Sequence, residues 1–169
     1  MSKIYAGIGS RSLSQDDLHL CFLLGAYLGK LGWTLHTGAA QGADQAFANG
    51  ALSVGGKVNL FLPWYSYEEE WVREAAIKGA YVITNLHDTA LQSVDKHHPN
   101  PKNLSQGVKK LHARNYMIVE DTKFVLAIPS NKIGKGGTGQ GMRVASSLGK
   151  EVIDLSTEKG RKRVEKALV

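Results

Sequence analysis

The sequence predicts an α/β fold, a three-layer α/β/α sandwich built on a mostly parallel sheet. Three observations point there. Short apolar strand candidates alternate with helix candidates along nearly the whole chain. The run KFVLAIP is continuously apolar, as expected of a strand covered on both faces. Three strand candidates end in glycine-rich or small-residue sequence, the pattern of an open sheet whose strands turn abruptly into helices.

The elements follow in order. KIYAGIG is the first strand candidate. Ser14 lies three residues before Asp17, a capping-box-like start, and Leu18, Cys21, Phe22, Gly25 and Leu28 continue at helical spacing to a stop near Gly32. WTLHTG is a second strand, with a helix from about Ala43. KVNLFLP is a third, closed by Pro63. YEEEWVREAAIKG is a helix with its acids in the first turn, where the helix dipole favours them. AYVITN is a further strand candidate. The polar, histidine-rich stretch from about 85 to 105 breaks the rhythm and reads as an insertion or lid. SQGVKKLHARNYMIVED then forms a helix, KFVLAIP a strand, TGQGMRVASSLGK a helix and EVIDL the last strand. The tail EKGRKRVEKALV is an amphipathic helix with a solvated basic face.

The 169 residues suffice for one domain, expected to span 1–169, and no repeat or linker divides them. No apolar run is long enough to cross a bilayer, and no signal-peptide pattern opens the chain. The lone Cys21 sits in an apolar helix as a buried thiol. A cytoplasmic protein with no membrane association is expected. Net charge is +6, which favours anionic partners such as nucleotides or nucleic acid. His87, Asp88, His97 and His98 fit no closed zinc spacing, so neither a metal nor another cofactor is expected. Trp64 and Tyr65, at a strand end, suit either stacking on a base or rim packing. Lys109 and Lys110 suit either an anionic ligand or solvent.

The glycine-rich turns are the candidate site. The first strand ends in GIGSR, the second in TGAAQGAD, and KFVLAIP runs into SNKIGKGGTGQG. Glycines admit a phosphate close to the backbone, and helix N-termini present free N–H groups to it. Ser10, Thr37 and Thr138 offer hydroxyls, and Arg11 a bidentate guanidinium. None of these turns is a Gly-Lys-Ser/Thr phosphate loop, and GIGSRS lacks the last glycine of G-x-G-x-x-G, which argues against an ordinary ATPase or dehydrogenase.

In their order and spacing, GIGSR, TGAAQGADQAF and GKGGTGQGMRVA resemble the Rossmann-like SLOG superfamily, which joins the SMF/DprA DNA-processing proteins and the Lonely Guy phosphoribohydrolases. TGAAQGAD is similar to the GGARGID/GGARGAD turn of the DNA-processing branch. LHARN followed by LAIPSNKIGKGGTGQG is similar to the MHERK…ALPGGYGTLEE arrangement of the phosphoribohydrolase branch. The resemblance covers residues 4 to 155. It implies that these turns hold the phosphate and sugar of a nucleotide or nucleic-acid ligand. The ligand-binding residues would be Gly9, Ser10 and Arg11; Thr37, Gly38, Ala39, Gly42 and Asp44; Arg114 and Asn115; and Gly136, Gly137, Thr138, Gly139 and Gln140. Asp44 would cap a helix or bond a ribose hydroxyl.

The resemblance also implies a catalytic arginine, matched by Arg114. The partner glutamate does not carry over: Met142 stands in its place. A thioether cannot stabilise an oxocarbenium ion as a carboxylate does. Asp44, Asp88, Glu120 and Asp121 are the substitutes available, with Asp44 belonging to the glycine-rich turn. The leading expectation is a nucleotide-binding protein with weak or absent N-glycosidic hydrolase activity on nucleoside 5′-monophosphates. One alternative is a DprA-like single-stranded-DNA-binding recombination mediator. Another is a non-catalytic sensor or sponge of a signalling nucleotide. A homodimer is a superfamily-level expectation.

Overall fold

The computed structural model describes residues 2–130 and 136–168. Among these residues the chain forms β1 (Ile4–Gly9), α1 (Gln15–Lys30), β2 (Thr34–Thr37), α2 (Ala43–Ser53), β3 (Val58–Phe61), α3 (Glu69–Ile77), β4 (Tyr81–Ile83), α4 (Asp88–His97), a single 3-10 turn at Pro101–Asn103, α5 (Gln106–Glu120), β5 (Phe124–Ile128), α6 (Gly136–Ser147), β6 (Glu151–Asp154) and α7 (Glu158–Leu168). All strand pairings are parallel, in the order β4-β3-β2-β1-β5-β6. This is a Rossmann-like three-layer sandwich.

The topology follows from handedness. The chain steps from β1 through β2 and β3 to β4 in one direction, so right-handed crossovers put α1, α2 and α3 on one face. It then returns across the sheet to β5 through α4 and α5 and continues to β6 through α6, which places these helices on the other face. Side chains alternate accordingly. Tyr5, Leu35, Leu60 and Leu126 bury under α1, α2 and α3, whereas Ala6, Ile8, Val125 and Ala127 bury under α5 and α6. Phe47 of α2 is wholly buried in the first layer. Between α1 and α2 the backbones themselves meet: a Cβ on Gly25 would strike the Phe47 carbonyl, and one on Gly50 the Phe22 carbonyl.

Caps match the sequence signals. Ser14 accepts from the Asp17 amide at 3.1 Å, and Ser105 caps α5 by accepting from Val108 at 3.2 Å. Helix α3 begins at Glu69, two residues after the expected Tyr67, because Glu68 takes a left-handed conformation with φ 48°. The polar stretch expected as an insertion or lid contains α4. His87 caps it through Nδ1, and Ala90 and Val94, one turn apart, bury against Ala113 of α5. Cys21 is fully buried, and its thiol is pushed up to about 12 by burial and then by Asp17 and Asp44. Among the described residues, no helix is long and apolar enough to cross a membrane.

Candidate functional site

Strand order reverses between β1 and β5: from β1 the chain moves toward β2, from β5 toward β6. Their connections therefore diverge beyond the carboxyl ends and leave a crevice. The two strands run in register to that point, Gly9 opposite Ile128, and the Ser10 amide extends the ladder to the Ile128 carbonyl at 2.9 Å. A cavity of about 430 Å³ opens there.

Its walls come from four elements. The end of β1 supplies Ile8, Gly9, Ser10 and Arg11. The turn before α2 and its first residues supply Ala40 and Asp44. Helix α5 contributes Val108, Leu111, His112, Arg114 and Asn115. The end of β5 and the start of α6 contribute Ser130, Gly137 and Thr138. The part of the third turn at 131–135 lies outside the described residues.

Arg114 is the dominant charge. It is 5% exposed, yet its guanidinium finds little to hold. Nη1 donates to the Phe61 carbonyl at 3.3 Å, the group lies 5.4 Å from the centre of the Tyr67 ring, and Nε is buried without a partner among the described residues. Asp44 faces it across Gly38. A Cβ at Gly38 would sit 2.5 Å from Arg114 Nη1 and 2.6 Å from Asp44 Oδ2, so only glycine leaves both groups their places. No direct ion pair joins the two among the described residues. Arg11 reaches the same corner, donating to the Tyr67 hydroxyl at 3.0 Å. Burial pushes the Asp44 carboxyl up to about 6, against the opposing pull of Arg114, the Ala40 and Gly9 amides and Arg11.

The far wall is held by a chain of amides. Asn115 Nδ2 donates to the Gly137 carbonyl at 3.1 Å and to Gln140 Oε1 at 3.4 Å. Gln140 Oε1 therefore also receives the His112 Nδ1 proton at 3.0 Å, which leaves His112 Nε2 as an acceptor. Burial holds the His112 imidazole below its usual range, so the ring is neutral.

Several expected ligand residues lie behind the wall instead. Thr37 is fully buried and donates its hydroxyl to the Gly7 carbonyl, so it has no proton for a ligand. Ala39, Gly139 and Gln140 are buried away from the opening. Gly42, with φ 90°, packs on the backbone of Ser10 and Arg11, where any Cβ would collide. The start of α2 is not an open anion cradle either. Its Ala43 amide donates to the Ser10 carbonyl at 3.1 Å, and the Asp44 carboxylate occupies the first turn. Helix α6 also brings its N-terminus to the cavity, at Gly137 and Thr138, with Gly136 as its first residue.

Met142 packs among the core residues under α6 rather than in the cavity, and the acid within reach of Arg114 is Asp44. Glu120 is paired with His87 at 2.7 Å, Asp88 starts α4, and Asp121 caps the end of α5. Lys109 and Lys110 are not part of the wall. His112, Tyr67 and Ser130 were not expected at the site. For His112 a signal existed, since it lies two positions before Arg114 in LHARN; Tyr67 arrives only through the turn before α3. Among the described residues no three metal-ligating side chains gather.

No family model matches the sequence, and no curated protein matches it. Solved structures do. A structural-genomics target, TM1055, superposes with a TM-score of 0.60 at 20% identity, over 90% of this chain and 72% of that one. DNA processing protein A (DprA) from Streptococcus pneumoniae superposes with a TM-score of 0.64 at 17% identity, over 98% of this chain. The chain spans 56% of the length of DNA processing protein A. These likenesses show a shared fold, the Rossmann-like three-layer sandwich described above.

Proposed function

We propose that the cavity binds a nucleotide or nucleotide-derived small molecule, with its phosphate or equivalent anionic group at Arg114. The observation that carries this reading is the state of Arg114: a buried guanidinium that, among the described residues, has an unpartnered Nε and no carboxylate in direct contact. A buried cation left so sparsely paired is costly, and a ligand anion is the natural complement. Gly137 and Thr138 add the N-terminus of α6, and Ser10 and Arg11 the opposite lip. The remaining volume, walled by Val108 and Leu111, suits the less polar part of the ligand.

Asp44 gives the site its one candidate for chemistry. In N-glycosidic hydrolysis its carboxylate would stabilise an oxocarbenium-like sugar or activate water, while Arg114 held the phosphate. A carboxyl titrating at about 6 is largely ionised at neutral pH and suited to that work. The expected activity is weak, and binding without turnover is its limiting case. Calorimetry with nucleoside 5′-monophosphates, alongside an assay of released base, tests both statements. Absence of binding to any of them would end the nucleotide reading; binding without released base would leave a sensor or sponge.

A second reading, single-stranded DNA in the same cavity, rests on the fold likeness to DNA processing protein A over nearly the whole chain. Competition separates the two: an oligonucleotide that displaces a bound mononucleotide belongs in this cavity. A single domain, a cytoplasmic location and a homodimer complete the proposal.

A further inference from the structure

The opposite edge of the sheet has its own construction. Each of the six strands is preceded, within four residues, by a lysine: Lys3, Lys30, Lys57, Lys78, Lys123 and Lys150. Parallel topology brings all of them to the amino edge, and all but the half-exposed Lys150 are exposed. Three of them, Lys3, Lys57 and Lys78, line one depression together with Asn59 and Tyr81. The carboxylates near this edge are few. Asp121 is exposed, and Glu151 is already paired with Arg163 at 2.9 Å.

Helix C-termini also end here, and lysines favour them through the helix dipole. That accounts for the charge alone. It does not account for the apolar side chains standing beside it. Among the described residues, eight large hydrophobic side chains are exposed, and four are at this edge: Leu31 next to Lys30, Ile77 next to Lys78, Tyr81, and Leu148 two residues before Lys150. Ile77 is 76% exposed and Tyr81 67%. Apolar groups interleaved with cations are the complement of a chain that interleaves apolar groups with carboxylates. A phosphate backbone would pair with the lysines but leave Leu31 and Ile77 in water.

We propose that the depression at the amino edge, from Lys3 through Lys57 to Lys78 and Tyr81, docks an acidic protein segment that carries aliphatic or aromatic side chains. The carboxylates meet the lysines, and the apolar side chains cover Ile77, Tyr81 and Leu31. Nothing in this requires the cavity at the carboxyl edge to be occupied, so the two bind independently.

The test uses the full chain and three probes: a short peptide alternating aspartates with leucine and phenylalanine, the same peptide with serine in place of its apolar residues, and a single-stranded oligothymidylate. Amide chemical-shift mapping and fluorescence anisotropy read binding. The apolar-bearing peptide is expected to shift residues around Lys57, Lys78 and Tyr81, and to bind at least fivefold tighter than the serine version. Lys57→Glu with Lys78→Glu should abolish that binding, and Ile77→Ser with Tyr81→Ser should weaken it at least fivefold. Arg114→Ala should leave it unchanged. Lys57, Lys78, Ile77 and Tyr81 are exposed, so circular dichroism of the variants at these four positions should match the parent. The proposal is overturned if the two peptides bind equally, or if neither shifts this face. It is likewise overturned if oligothymidylate binds here more tightly than the peptide and ignores the Ile77→Ser and Tyr81→Ser changes. Self-association of the protein that the lysine reversals abolish would make a second copy the occupant and overturn it too.

Discussion

Among the described residues, the charges lining the cavity at the carboxyl edge of the sheet are few and of both signs, with Arg114 and Asp44 buried; at the amino edge they are many, mostly exposed and nearly all lysine. Around the cavity, Arg114 and Asp44 are each 5% exposed and face one another over Gly38. At the other end a lysine precedes every strand, and all but Lys150 are exposed. The net charge of +6 suggests an anionic ligand when read as a sum. Resolved in space, much of that excess lies away from the cavity, whose wall among the described residues carries Arg11 and Arg114 as cations and Asp44 as its carboxylate. A buried charge interacts through a low dielectric and decides what a site binds, whereas an exposed lysine is screened and acts mainly on encounter. One strong arginine is therefore expected to outweigh six lysines for a small ligand.

The largest test of that contrast is Arg114→Ala. It should lower affinity for nucleoside monophosphates by about a hundredfold, the usual scale for losing a desolvated charge partner. Lys57→Glu with Lys78→Glu should leave it within about twofold, as expected of screened surface charges. Calorimetry on both variants checks this, and similar losses in the two would erase the distinction between the edges.

Next comes Asp44→Asn. The folded-state carboxyl is raised from 3.8 to about 6, so the native protein binds more protons than the unfolded chain in that window. Stability therefore falls as pH rises through it, and the cost is complete above about 6. Removing the charge should stabilise the ligand-free protein at pH 7 by on the order of 2 kcal/mol, with the gain vanishing below about pH 4. Urea unfolding of both proteins across that range reads it. Any released-base activity should disappear in the same variant.

Gly38→Ala comes third. The new methyl would press on both Arg114 Nη1 and Asp44 Oδ2, so both side-chain ends must shift from their places. A loss of roughly tenfold in nucleotide affinity, with a smaller loss in stability, is expected. The smallest effect is a pH response in binding of sulfate, an anion that does not itself titrate here. As pH falls from 7 to 5, Asp44 gains a proton, its repulsion of the anion ends, and affinity should rise by roughly threefold. Asp44→Asn should flatten that response.

Much of this molecule was legible in the one-dimensional pattern. Strand and helix order, the Ser14 cap, the buried Cys21 helix and the start of α2 at Ala43 follow from apolar period, turn residues and capping chemistry, which act within a few residues. Helix α4 was hidden because Ala90 and Val94 are its chief apolar contacts and because His87, an uncommon cap, starts it. The glycine-rich turns were legible as special, and Arg114 as a residue to watch. What each turn residue does was not. Thr37 and Ser10 look alike as hydroxyl donors, yet one bonds inward to Gly7 and the other lines the opening. Asp44 and Glu120 look alike as spare carboxylates, yet only one meets the arginine.

The sequence by itself determined that a parallel α/β sandwich would form and that its loops would be bare of side chains at strand ends, because those properties depend on local period and on backbone sterics. Only the tertiary structure decided that Gly38 clears the gap between Arg114 and Asp44, that Gln140 fixes the His112 proton, and that lysines scattered from position 3 to position 150 gather at one edge. The physical reason is that each of these depends on distances between segments far apart in the chain. Those distances are set by which strands pair, and strand order is a property of the whole sheet.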